Sequence, residues 1–215
     1  MRNDAMTPPA ARGLYLVTPD EPDTARLRER VAPLLPFATW LQYRNKAAGP
    51  ALRMRQADML QALCAMHAVP LLVNDDARLA SSVGAAGVHL GDGDGAIAAA
   101  RALLGADAII GASCYQDLAR ARDAAAEGAS YVAFGAMFPS ATKPGARPLD
   151  ASLLPKARTL GLPVVAIGGI TAENAALPIQ AGADLLAVIG GVFDAPDPVS
   201  AARALQACFR PVPPR

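Results

Sequence analysis

The run Gln42-Tyr43-Arg44-Asn45-Lys46 places an amide and two cations at alternate positions. If the chain stays extended there, period-two geometry turns Gln42, Arg44 and Lys46 to one side. Donors converging in this way suit an oligophosphate; the plain alternative is the solvated end of a strand. Asn74-Asp75-Asp76 follows, then His89-Leu90-Gly91-Asp92-Gly93-Asp94. An Asp just ahead of a helix is ordinarily a cap. Asp76, directly before the helical stretch Ala77–Val83, fits that reading, and Asp94 also allows it, which leaves Asp75 as the better metal candidate. Magnesium is commonly held by one or two carboxylates completed by substrate phosphates and water. Beside the cationic run, Asp75 and Asp94 together favour a metal–pyrophosphate site.

Two further features carry chemistry. Gly168-Gly169 and Gly190-Gly191 each follow an apolar run near the end of the chain. Such turns are either merely tight or, on the last two strands of a barrel, a backbone-built phosphate site, and their pairing favours phosphate. The segment from Ala136 to Pro148, with Ser140, Thr142 and Lys143, is long for a connection and reads as a lid. Ser113 either orients a substrate heterocycle or satisfies backbone ahead of the next helix. His89, inside an apolar run, reads as a packed, hydrogen-bonded histidine, and His67 as packing or surface. Cys114 has no cationic sequence neighbour to activate it, so it reads as packing. No nucleophile motif accompanies either histidine, which argues against a Ser-His-Asp or Cys-His enzyme.

These residues need elements to hold them. Short apolar runs at Leu14–Thr18, Thr39–Tyr43, Pro70–Asn74, Gly87–Leu90, Ala108–Ala112, Ser130–Gly135, Pro163–Ile167 and Asp184–Ile189 read as strands buried on both faces. Between and after them the pattern predicts helices over Thr24–Leu35, Met54–His67, Ala77–Val83, Ala96–Leu104, Asp117–Glu127, Ala151–Thr159, Ala172–Ala181 and Pro198–Cys208. Eight strand–helix units in 215 residues predict a single (β/α)8 barrel of the TIM type, an α/β fold, with an open doubly wound sheet as the alternative. The expected organisation is a disordered tail over 1–12, a catalytic barrel over 13–210 and a tail over 211–215. In such a barrel the residues just after each strand share one rim, which is where the groups above would meet.

Composition narrows the classes. At 53% hydrophobic residues the chain can bury a sizeable core. A net charge of +1 offers no broad footprint for nucleic acid or an anionic membrane. Three separated cysteines without a CxxC argue against a disulfide framework or zinc site and suit reduced thiols in the cytoplasm. Nothing resembles a signal peptide or a spanning helix. The expected partners are small phosphorylated molecules, with neither nucleic acid nor membrane, and a homo-oligomer is left open.

The ordered set Gln42–Lys46, Val73–Asp76, Gly87–Gly91, Gly111–Ser113, Phe138–Lys143 and Ala166–Ile170 resembles the thiamine phosphate synthase family, over roughly Leu14 to Val192. The resemblance implies a (β/α)8 barrel and a magnesium-dependent transferase. That enzyme joins 4-amino-2-methyl-5-hydroxymethylpyrimidine pyrophosphate to a thiazole phosphate, giving thiamine phosphate and pyrophosphate, and carbon dioxide when the thiazole is carboxylated. It further implies that Gln42, Arg44, Lys46, Asn74 and Lys143 hold the pyrimidine pyrophosphate, that Asp75 and Asp94 hold Mg2+, and that Ser113 contacts the pyrimidine. Ser140, Thr142, Gly169 and the turn Val188-Ile189-Gly190 would hold the thiazole phosphate. Arg44, Lys46, Lys143 and Ser113 are the implied catalytic set. The chain departs from the family in four places. Ser140 stands where many members have Thr, Tyr115 where many have His, and Gly190 where many have Ser. Asp92-Gly93-Asp94 replaces a Gln-Glu-Asp type of run, which introduces Asp92 as a competing ligand. The rival functions are a thiazole phosphate tautomerase and a phosphate-ligand sensor on the same barrel; neither needs the carboxylate pair together with the lid lysine.

Overall fold

The structure is a computed structural model and describes residues 11–139 and 149–209. The expected tails therefore lie almost wholly outside the described residues, as does the lid beyond Pro139, including Ser140, Thr142 and Lys143. Eight strands, β1 (Gly13–Val17), β2 (Ala38–Tyr43), β3 (Leu71–Asn74), β4 (Gly87–Leu90), β5 (Ile109–Tyr115), β6 (Tyr131–Phe134), β7 (Val164–Ile167) and β8 (Leu185–Val188), close in sequence order into one barrel. Every neighbouring pair is parallel, and β8 pairs with β1, so the closed barrel is the observed fold and the open sheet is excluded.

The helices are α1 (Thr24–Val31), α2 (Pro50–Met66), α3 (Ala77–Val83), α4 (Ile97–Leu104), α5 (Leu118–Ala126), α6 (Leu153–Arg158), α7 (Ala176–Gln180), α8 (Gly190–Phe193) and α9 (Pro198–Ala207). Asp side chains cap α1, α3, α5 and α9 by accepting backbone N–H groups of the first turn. Asp76 is the cap of α3, taking the Leu79 amide at 2.9 Å, as its position predicts.

Several boundaries differ from the sequence reading. The first helix stops at Val31 rather than Leu35 and tightens into a 3-10 turn over Ala32–Phe37. Pro33 and Pro36 supply no amide to extend the α-helical ladder there. Helix α2 begins at Pro50, four residues before Met54, with proline at its first position after Gly49. Strand β5 runs on to Tyr115, so Ser113 stands within the strand and not after it. Helix α7 is short because residues 171–174 form a side-chain-closed turn, with the Thr171 amide donating to Asn174 Oδ1 at 2.9 Å. The four-residue α8 was not expected as a helix.

Strand alternation makes two cores. Leu14, Leu16, Leu41 and Leu186 point outward and pack with Leu27, Leu60, Ala100, Leu154 and Leu205 of the helices. Tyr15, Val17, Trp40, Leu72, Tyr131, Val165 and Leu185 fill the barrel interior. The interior is aromatic at one level: Trp40 lies 5.4 Å from Tyr15, edge to face, and 5.0 Å from Tyr131, centroid to centroid. Glycine makes room for this bulk. A Cβ at Gly111 would collide with the Tyr131 ring across the β5–β6 pairing.

Candidate active site

At the C-terminal ends of the strands the barrel opens into a cavity of about 510 Å3. All the sequence-predicted site residues that are described line it: Gln42, Arg44, Lys46, Asn74, Asp75, Asp94, Ser113, Gly169, Val188, Ile189 and Gly190.

Strand β2 positions the cationic side. Gln42 is buried at its end, and Arg44 and Lys46 continue the same alternation into the loop. The odd members of the run turn the other way. Tyr43 donates to Gln56 Oε1 at 2.8 Å, and Asn45 Nδ2 donates to the same oxygen at 2.9 Å and to the Glu21 carbonyl at 2.8 Å. Thr18 brackets the Arg44 backbone, accepting from its amide at 2.9 Å and donating to its carbonyl at 2.8 Å. The segment between the two cations is thus anchored in buried polar contacts while the charges stay at the rim. Sequence reasoning missed Asp20, which pairs with the Arg44 guanidinium at 3.1 Å and accepts the Lys46 amide at 2.8 Å. Its signal is weak, since an Asp shortly after a strand reads as a turn residue.

The carboxylate pair sits beside these cations. Asp75 adopts a left-handed backbone, φ 63°, and its amide donates to the His89 carbonyl at 2.8 Å, tying β3 to β4. Its carboxylate pairs with Lys46 Nζ at 3.2 Å. Asp94 does not cap α4, whose N-cap is Ala96; instead its Oδ2 accepts the Gly91 amide at 2.8 Å, closing the β4 loop. Partial burial and then the neighbouring Asp75 carboxylate raise the Asp94 pKa. Asp94, whose proton affinity its neighbour raises, and Asp75, paired with Lys46, form a focus of negative charge that a hard divalent cation would relieve. Among the described residues no group of three or more His, Cys, Asp or Glu gathers as a metal cluster. Asp92 also lines the cavity, with its Oδ1 2.9 Å from Arg120 Nη1, and Arg120 also donates to the Ser113 carbonyl at 2.8 Å.

Ser113 does not serve the next helix, which Asp117 caps. Its Oγ lies 2.9 Å from His89 Nε2. His89 is buried and bonds Tyr131 through Nδ1 at 2.9 Å, the packed and hydrogen-bonded role expected of it. Tyr15, which the sequence reading did not single out, also lines the cavity. Burial pushes the Cys114 thiol up to about 11, consistent with an inert packing role.

Across the cavity the glycine turns close the second side. Gly168 and Gly169 have φ of 104° and 63°, and side chains there would strike Ala136 and the Phe138–Pro139 segment. Gly191 opens space for the Ile170 carbonyl, bringing the β7 and β8 loops together. Asn174 Nδ2 donates to the Gly169 carbonyl at 2.9 Å and fixes that turn. Gly190 faces the carboxylate of Asp194.

Fold and site together define a (β/α)8-barrel enzyme whose rim sets cations and a carboxylate pair opposite backbone-lined glycine turns. The sequence model described as thiamine monophosphate synthase matches residues 14–192. Thiamine-phosphate synthases of Xanthomonas campestris pv. campestris and of Azoarcus sp. are 60% and 58% identical, covering 93% and 92% of this chain and 96% and 97% of theirs. The structure of thiamine phosphate pyrophosphorylase from Pyrococcus furiosus superposes with a TM-score of 0.81 at 32% identity, covering 93% of this chain and 96% of that one. The chain belongs to the thiamine monophosphate synthase family.

Proposed function

We propose that this chain condenses 4-amino-2-methyl-5-hydroxymethylpyrimidine pyrophosphate with a thiazole phosphate, releasing pyrophosphate and forming thiamine phosphate. With a carboxylated thiazole, carbon dioxide is lost as well. The observation that carries the reading is the opposition, across one cavity, of the Gln42/Arg44/Lys46 and Asp75/Asp94 groups to the Gly168–Gly169 and Gly190–Gly191 turns. That is a layout for two anionic substrates rather than one. Family membership supplies their identity.

In this reading Gln42, Arg44, Lys46 and Asn74 hold the pyrophosphate ester, joined by Lys143 from the lid. Asp75 and Asp94 would hold Mg2+, which when bound supplies neutralisation of charge on the pyrophosphate oxygens. The present ion pairs of Arg44 with Asp20 and Lys46 with Asp75 keep these cations in place at the rim until the anion arrives. Their role is to stabilise negative charge growing on the leaving pyrophosphate. The aminopyrimidine can delocalise the matching positive charge on its exocyclic carbon, so departure runs ahead of attack by the thiazole nitrogen. Ser113 lies against the pyrimidine and orients it. Ser140, Thr142, Gly169 and the turn Val188-Ile189-Gly190 hold the thiazole phosphate. Such a reaction needs a good leaving group and alignment rather than a strong base.

A cytoplasmic biosynthetic role suits such a transferase, and no helix among the described residues is long and apolar enough to cross a membrane. The test is an omission series with purified protein, Mg2+ and both substrates. Thiamine phosphate should form only in the complete mixture. Isomerised thiazole phosphate in the absence of the pyrimidine ester, with no condensation in its presence, would instead mark a tautomerase; ligand retention without change would mark a sensor.

A further inference from the structure

Five side chains form one hydrogen-bonded chain through the barrel interior. Gln42 Nε2 lies 2.7 Å from the Tyr15 hydroxyl, which lies 2.8 Å from the Tyr131 hydroxyl. The Tyr131 hydroxyl is 2.9 Å from His89 Nδ1, and His89 Nε2 is 2.9 Å from Ser113 Oγ. Gln42 and Ser113 line the cavity on different sides. The middle of the chain is buried: Tyr15, in the cavity wall, is 1% and Tyr131 0% exposed. The space for it is built in, since any side chain at position 111 would occupy the place of the Tyr131 hydroxyl.

The chain has a direction. An amide nitrogen only donates, so the Tyr15 oxygen accepts from Gln42. Either hydroxyl can donate in the Tyr15–Tyr131 pair; with Gln42 donating to Tyr15, the order that gives each buried hydroxyl proton an acceptor runs from Tyr15 to Tyr131. Tyr131, having accepted, gives its own proton to His89 Nδ1. A ring nitrogen that accepts carries no hydrogen, so neutral His89 bears its proton on Nε2 and donates it to Ser113 Oγ. Ser113 then directs its own hydroxyl proton away from the chain. The order requires both tyrosines to remain neutral, and burial raises the pKa of each.

We propose that Tyr15, Tyr131 and His89 are positioning residues that set the polarity of Ser113, making its hydroxyl a hydrogen-bond donor toward an acceptor on the bound ligand. The ligand class that fits is an aromatic heterocycle presenting a ring-nitrogen lone pair. The ligand part of this inference rests on the reading that the aminopyrimidine lies against Ser113; the direction of the chain does not. Without the buried chain the serine could turn its proton toward His89 and offer the heterocycle only an oxygen, which a ring nitrogen cannot use.

Two histidines in the whole sequence make the tautomer directly readable. Long-range 15N–1H correlation spectra of imidazole-labelled protein should show His89 as a single neutral Nε2–H tautomer, with His67 assigned by a His67→Gln variant. A neutral Nδ1–H tautomer would overturn the proposal whatever the chain catalyses. In Tyr131→Phe, which keeps the ring, His89 should lose its single tautomer. The same variant should lower kcat/KM for the pyrimidine pyrophosphate about tenfold, the worth of one hydrogen bond of roughly 1.4 kcal/mol, while KM for the thiazole phosphate stays within twofold. A folded Tyr131→Phe with unchanged kinetics toward the pyrimidine ester would overturn the role at Ser113, because a purely structural hydroxyl would alter stability alone. Wild-type protein showing the Nε2–H tautomer but forming no thiamine phosphate would refute the functional reading and leave the direction of the chain standing.

Discussion

At the scale of single residues the site depends on which charges face each other. Asp75 is the most telling. It takes a left-handed backbone that few residues other than glycine, Asn and Asp adopt, and it places its carboxylate between Lys46 and Asp94. Loss of that carboxylate removes one of the two acidic groups proposed to hold Mg2+. Asp75→Ala should therefore reduce turnover by about a hundredfold or more, the scale seen when an electrostatic group at a reacting centre is lost. It should also raise the Mg2+ concentration needed for half-maximal rate. A magnesium titration of steady-state rates checks both, and a variant with the wild-type rate and metal dependence would remove Asp75 from the site. Period-two spacing makes Gln42, Arg44 and Lys46 legible from the sequence, and the glycine pairs were equally plain. Asp20, Tyr15 and Tyr131 were not. A tyrosine within an apolar run looks like core, and only the barrel's curvature shows that these two hydroxyls meet inside it. The pairing of Asp92 with Arg120 was likewise not legible from the sequence.

At the scale of elements, caps and breakers did most to set where each segment starts and stops. Asp76 was legible as a cap because it directly precedes a helical pattern, and the structure places its Oδ1 on the Leu79 amide. Its carboxylate also meets Arg53 at 3.3 Å. Asp76→Ala should destabilise the fold by about 1 kcal/mol, and Asp76→Asn, which keeps the capping oxygen, by only a few tenths. Urea denaturation separates the two; equal losses would show that the ion pair, and not the cap, is the contribution. Elsewhere local signals misled. The apolar stripe of the first helix continues to Leu35, yet its geometry changes at Ala32 because the prolines cannot extend the ladder. Strand β5 outruns its apolar segment because pairing with β6, through a register shift between Ser113 and Tyr115, holds polar residues in extended form. Neither cause is local, so neither could be read from composition.

At the scale of the whole molecule, eight short units close a barrel whose interior is filled by Trp40, Tyr15 and Tyr131 below and opens into the reaction cavity above. The number of units was legible from the alternation of apolar runs and helical stretches. Closure was not, since it depends on β8 meeting β1. That closure brings the cationic end of β2 and the glycine turns of β7 and β8 onto one rim, and the proposed chemistry follows from this opposition. If one cavity holds both substrates and joins them, bond breaking at the pyrophosphate and bond making at the thiazole must be linked. Phosphorus NMR of the complete reaction, followed over time, tests this directly. The account predicts one pyrophosphate released for each thiamine phosphate formed, with no release when the thiazole phosphate is withheld beyond a single enzyme equivalent. Sustained pyrophosphate release without thiamine phosphate, or none from the complete mixture, would contradict it.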